Sequence, residues 1–150
     1  MTTLDVIIDF VRSLPLPVRL LDDVPEPIFA GMKVARGEIL LAPALIENPG
    51  DVLHEAGHLA IVASADRPRF PEECKPTGGQ ELAALAWSYA AAVHLGLAPD
   101  VVFHPAAYKG ESPALLEAFA DGRWVGVHYL VWRKLTEPAL YPSMHRWLLE

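Results

Sequence analysis

Cysteine is all but absent from this sequence: Cys74 is the single one in 150 residues. One thiol closes no internal disulfide, so the fold must rest on its apolar core, and a reducing cytoplasm is the expected setting. Positive charge is also scarce. Twelve Lys and Arg stand against 19 Asp and Glu, a formal net charge of −7, which speaks against nucleic acid or an anionic membrane as partner. The opening segment MTTLDVIIDFVRSLPLP has no basic leader, and Asp5 and Asp9 interrupt its apolar residues. No signal peptide is expected there. The nearest thing to a long apolar run is residues 82–98, LAALAWSYAAAVHLGLA, 17 residues rich in weakly apolar alanine and holding Ser88, Tyr89 and His94. It reads as a buried core helix rather than a membrane span.

Apolar residues make up 52% of the chain, which excludes general disorder. The length suits a single domain over residues 1–150, able to bury roughly two-thirds of its unfolded surface. Thr2 or Thr3 can cap a first helix to about Leu14, with Leu4, Ile7, Ile8 and Val11 on one face and Pro15 and Pro17 ending it. Residues 18–21 read as a short strand, and 28–34 and 38–42 as a hairpin turning at Ala35-Arg36-Gly37. The pattern EILLA suggests that the last of these is buried on both faces or lies under a helix. Asn48 as N-cap and Pro49 at the first helical position predict a helix to about Ser64. A proline-rich loop should follow over 65–76, with Arg67 and Arg69 in solvent. Thr77 and Gln80 have the spacing of a capping box for a helix to about Leu95. Residues 112–120 and 123–135 look helical, with a further short helix at 143–149.

The predicted helix after Asn48 carries His54, Glu55 and His58 inside an apolar run, NPGDVLHEAGHLAIV. Burying such groups costs several kcal/mol, on the order of 2–7 each, unless something satisfies them. Histidines at i and i+4 share a helix face and can bind one tetrahedral ion, and the intervening glutamate can act as general base on a metal-activated water. This is the H-E-x-x-H logic of zinc peptidases. One Zn2+ ion and a peptide or protein substrate are therefore expected. The metzincin extension would need Gly at 61 and His at 64; Ile61 and Ser64 exclude it. Glu81, opening the next and otherwise apolar helix, is the preferred third ligand. His94, His104, Asp66, Glu72, Glu73 and Cys74 are the alternatives. His104, Tyr108, His128 and Tyr129 are candidates for stabilising an oxyanion, and the four tryptophans read as core or interface packing. A non-catalytic module with a structural metal, or a metal-free scaffold serving an oligomer interface, are the competing readings.

These residues give the chain a resemblance to the ImmA/IrrE family of zinc metallopeptidase-like domains, over about residues 16–95. The matching stretches are VRLLDD, IFAGMKVARGEILLAP and DVLHEAGHLAI. Glu81-Leu-Ala-Ala84-Leu-Ala-Trp87-Ser88 is similar to the family's Glu-x-Glu-Ala-Asn-x-Phe-Ala, although Ala83 and Leu85 replace its second Glu and its Asn. Residues 96–150 match nothing in the family and form a helical extension. The resemblance implies an α+β fold, with a small, largely antiparallel sheet beside two metal-binding helices. It also implies zinc-dependent cleavage of a regulatory protein with a glutamate third ligand of the gluzincin kind, carried here by Glu81. An extended substrate would add to the edge of the 38–42 strand.

Overall fold

A computed structural model gives the fold and describes residues 1–105 and 110–150. The first helix, α1 (Thr3–Ser13), starts at a full capping box. The Thr2 hydroxyl accepts from the Asp5 N–H, and the Asp5 carboxylate accepts from the Thr2 N–H. Two orphan donors are thereby satisfied, and Ile7, Ile8, Phe10 and Val11 turn inward. Strands β1 (Val18–Leu20), β2 (Met32–Ala35) and β3 (Glu38–Leu41) form one small sheet. The β2–β3 turn has positive φ at both Arg36 (48°) and Gly37 (77°), the conformation of a two-residue type I′ hairpin. The turn is also docked. A Cβ at Gly37 would lie 2.4 Å from the Arg67 carbonyl oxygen, and the Gly37 N–H donates to the Phe70 carbonyl at 2.8 Å.

The fold is α+β with a small sheet, as expected, and the sheet is mixed. Its order is β1-β3-β2, with β1 parallel and β2 antiparallel to β3. Strand β3 is thus central, which explains its apolar sequence. It also removes the docking mode expected for residues 38–42, because both edges of that strand are already paired. The sheet's edges belong to β1 and β2.

Helix α2 (Gly50–Ala60) follows, and ten of its eleven residues are buried. It is shorter than the capping signals suggest. Asn48 makes no side-chain cap, and Pro49 takes the N-cap position. At the other end the chain turns out at Ile61 because the last carbonyls have partners elsewhere. The Leu149 N–H donates to Ala60 O at 2.8 Å, and Arg67 Nε donates to Leu59 O at 2.9 Å. Arg67 also donates to the Leu149 carbonyl. Arg67 is therefore a clamp between helix end and chain tail, not the solvated side chain expected; Arg69 pairs with Asp66 at the surface.

Helix α3 (Gly78–His94) has the predicted Thr77–Gln80 capping box. It lies against α2, its alanines permitting close approach: Ala83, Ala84, Ala86, Ala90 and Ala91 are fully buried, as is Trp87. Trp87 donates its indole N–H to Trp147 O at 2.9 Å. No helix among the described residues is long and apolar enough to cross a membrane. Helix α4 (Ser112–Ala120) occupies the predicted range. Helix α5 (Val127–Trp132) is shorter than predicted. Gly126, at φ 83°, packs where any Cβ would meet Leu82 O at 2.0 Å, so the chain cannot enter the helix earlier. Residues 143–149 are not helical. They run as an irregular strap whose Trp147 packs edge-on against Phe10 and Trp87. Trp124 is half-buried in the same way, but Trp132 is exposed.

Candidate metal centre

The spacing of His54 and His58 puts both rings on one face of α2, and their planes meet at 86° with centroids 4.7 Å apart. Their Nε2 atoms point at each other across 3.1 Å. Only one proton fits between two such nitrogens. Phe70 stacks on the His58 ring at 5.8 Å and 25° and fixes its plane.

The third atom comes from α3. Glu81 Oε2 is 3.2 Å from His58 Nε2 and 3.7 Å from His54 Nε2. Glu81 reaches them because α3 begins at its capping box and crosses α2 at Gly57, where a Cβ would press on Ala84 O at 3.0 Å and on the Trp87 ring at 3.2 Å. Three atoms spaced 3.1, 3.2 and 3.7 Å lie on a circle of roughly 1.9 Å radius, close to the zinc–imidazole bond of about 2.0–2.1 Å. Two imidazole nitrogens and a carboxylate oxygen are also the donor set of an open zinc site. The residues fit the ion. One feature weakens the fit: His58 Nδ1 is buried without a hydrogen-bond partner among the described residues. With Nε2 on a metal, Nδ1 carries the proton, and metal-bound histidines usually donate that proton to an acceptor.

Glu55 is the second carboxylate. His54, Glu55 and His58 each offer one ligand atom within 4.8 Å of the others, so distance alone admits Glu55 to the coordination group. Electrostatics separates the two acids. Glu81 is half-exposed, and hydrogen bonds to His54 and His58 hold its pKa well below the usual carboxylate range. Glu55 is only 6% exposed. Loss of solvation pushes its pKa up to about 7, against a lowering by His54 and with smaller upward contributions from Glu81 and Asp51. One acid is a standing anion; the other can gain and lose a proton near neutrality.

Two clefts adjoin the centre. A cleft of about 530 Å³ opens on one side, lined by Ile28, Phe29, Phe70, Pro71 and Pro76 together with the two histidines and both glutamates. A second cleft of about 480 Å³ lies on the other side, walled by Leu82, Leu85, Leu115 and Val125. His54 and Glu81 line both.

The other expected site residues lie elsewhere. His104 is buried, and its Nε2 is 2.7 Å from Asp51 Oδ1, one turn below Glu55 and in neither cleft. His94 packs against Phe10 and Trp147. Glu72 lines the first cleft but accepts the Arg36 backbone N–H, Glu73 is exposed, and Cys74 packs at the core margin. His128 is exposed, in a depression with Trp124 and Pro138, and Tyr129 Oη accepts from Gln80 Nε2 at 3.3 Å. Tyr108 lies outside the described residues. Sequence reasoning missed Asp51 as a buried partner, although its place four residues before Glu55 puts it on the same face. It also missed Gly57, whose small size inside H-E-A-G-H was the available signal. Comparison with family models, with curated proteins and with solved structures finds no match to this chain.

Proposed function

We propose that this chain is a zinc-dependent peptidase, as the resemblance to the ImmA/IrrE family implies, with His54, His58 and Glu81 as metal ligands and Glu55 as general base. The observation that carries the reading is the convergence of two Nε2 atoms and one carboxylate oxygen on a point that a zinc ion fits, beside a buried acid that titrates near neutrality. When bound, the ion would supply Lewis acidity toward a peptide carbonyl and toward water. Glu55 takes a proton from the attacking water on its carboxylate and returns it to the departing amine nitrogen. Phe70 and the cleft walls hold the His58 ring in plane and limit water. The half-exposed Glu81 leaves the centre open to an extended chain entering from either cleft.

Glu55 within reach of both histidines favours one further reading, a four-ligand structural site with no turnover. Zinc-loaded protein incubated with a mixture of unstructured peptides, with products read by mass spectrometry, separates the two. The peptidase reading expects cleavage that Glu55→Gln lowers by at least about 10²-fold while zinc stays bound. Loss of zinc in Glu55→Gln, with no cleavage by the wild type, supports the structural site instead.

A further inference from the structure

Large apolar side chains are rarely left in solvent without a use when they gather in one place. Eight are exposed among the described residues, and three of them (Ile28 at 54%, Leu82 at 40% and Val125 at 36%) line the two clefts that meet at His54 and Glu81. They come from three distant parts of the chain, so the fold has gathered them. Each cleft has a volume in the range of roughly 300–1,000 Å³ that encloses ligand groups. The walls are mainly hydrocarbon: Ile28, Phe29 and Phe70 on one side, Leu85, Leu115 and Val125 on the other.

Charge distinguishes the two sides. The first cleft carries Glu72 and Lys75, which offset one another. In the second, Glu111 is the only charged lining residue among the described residues beyond the shared Glu81. Glu111 is exposed at the start of α4 and forms no ion pair among the described residues. A carboxylate rim on an apolar cleft, in a protein of net charge −7, selects for a cation at that end.

We infer that the two clefts take an extended polypeptide segment with a large apolar side chain on each side of the bond lying over His54 and Glu81, and a lysine or arginine further along that meets Glu111. This rests on the peptidase reading for the bond's fate, but the recognition stands on the clefts themselves. The apolar side chains displace water from both clefts. The basic residue sets the direction in which the segment lies, because among the described residues Glu111 is the acid at one end that no cation pairs with.

The test is binding to Glu55→Gln protein, which needs no turnover, followed by fluorescence anisotropy. The probe is a labelled ten-residue peptide of Gly, Ser and Ala with a central Leu-Phe pair and a lysine three positions beyond. Replacing Leu-Phe by Ser-Ser is expected to weaken binding by at least about tenfold. Replacing the lysine by glutamate is expected to weaken it about fivefold at low salt, with the difference fading in 0.5 M salt at roughly a 4–5 Å screening length. Glu111→Lys should invert that preference. No binding of the Leu-Phe probe, or binding indifferent to both replacements, overturns the inference. Binding as expected without cleavage by the wild type would leave the inference standing and remove the peptidase reading. Cleavage without apolar preference would do the reverse.

Discussion

Gly57 of α2 lies against the backbone of Ala84 of α3, so closely that a Cβ at Gly57 would stand 3.0 Å from the Ala84 carbonyl oxygen. That contact sits one residue before His58 and one turn after Glu81. It sets the helix separation that lets Glu81 Oε2 come within 3.2 Å of His58 Nε2. Gly57→Val should force the helices apart. Overpacking of this kind costs about 1–3 kcal/mol, which corresponds to a Tm lower by roughly 2–10 °C for a domain of this size. Zinc titration of the refolded variant should show affinity down at least about tenfold, because the proposed Glu81 ligand is withdrawn. Unchanged zinc affinity in a destabilised Gly57→Val protein would mean that the helix spacing does not set the site.

If zinc binds as proposed, metal and stability are linked through the same atoms. Zinc at a hundred times its Kd should stabilise the wild type by about 2.7 kcal/mol, measured as a shift in the urea midpoint. His54→Ala and His58→Ala should lose that shift almost entirely. Glu81→Gln should retain part of it, since the amide oxygen still reaches the position without the charge. Equal zinc stabilisation in His58→Ala and wild type would exclude His58 as a ligand.

In metal-free protein Glu55 makes stability depend on pH. Its folded pKa of about 7 lies above the ordinary 4.5, so between those values the folded state holds a proton that the unfolded chain has released. The contribution is fully present below about pH 4.5 and is lost as pH rises through 7. The loss is on the order of 3 kcal/mol at most. Glu55→Gln, neutral throughout, should therefore be more stable than metal-free wild type at pH 8, and the gap should close towards pH 5. Parallel stability–pH curves for the two proteins would contradict the assignment of Glu55 as a buried, perturbed acid.

Arg67 joins the end of α2 to the tail, donating to the Leu59 and Leu149 carbonyls. Arg67→Met keeps much of the hydrocarbon but leaves the Leu149 carbonyl without its donor, while Leu59 O keeps the Val62 N–H, at about 1–3 kcal/mol for the group left unsatisfied. The tail strap should loosen with it. Limited proteolysis should cut within residues 143–150 faster in Arg67→Met than in wild type, and equal rates would show that the clamp does not hold the strap.

How far the sequence disclosed this molecule depends on whether a feature is local. The Thr2 cap, the Thr77–Gln80 capping box, the H-E-x-x-H face and the span of α4 follow from residues within a turn or two of each other, and the structure places them as the spacing predicts; Glu81 is 23 residues from His58, and its approach depends on how α3 packs on α2. What escaped was set by distant partners. Strand order is one example, since EILLA shows that β3 is buried but not that β1 joins it in parallel. The early end of α2 depends on Leu149 and Arg67, and the late start of α5 on the Leu82 carbonyl facing Gly126. His104 was a plausible ligand by residue type alone; only the fold shows it committed to Asp51.

If His54, His58 and Glu81 hold one catalytic zinc ion, as proposed, Glu55 stays outside its coordination shell. Crystals grown with zinc and measured on either side of the zinc absorption edge test it directly. One anomalous peak is expected about 2.0–2.2 Å from His54 Nε2, His58 Nε2 and a Glu81 oxygen, with the Glu55 carboxylate beyond bonding distance. No peak between the two imidazoles, or a peak with Glu55 as a fourth protein ligand, would contradict it.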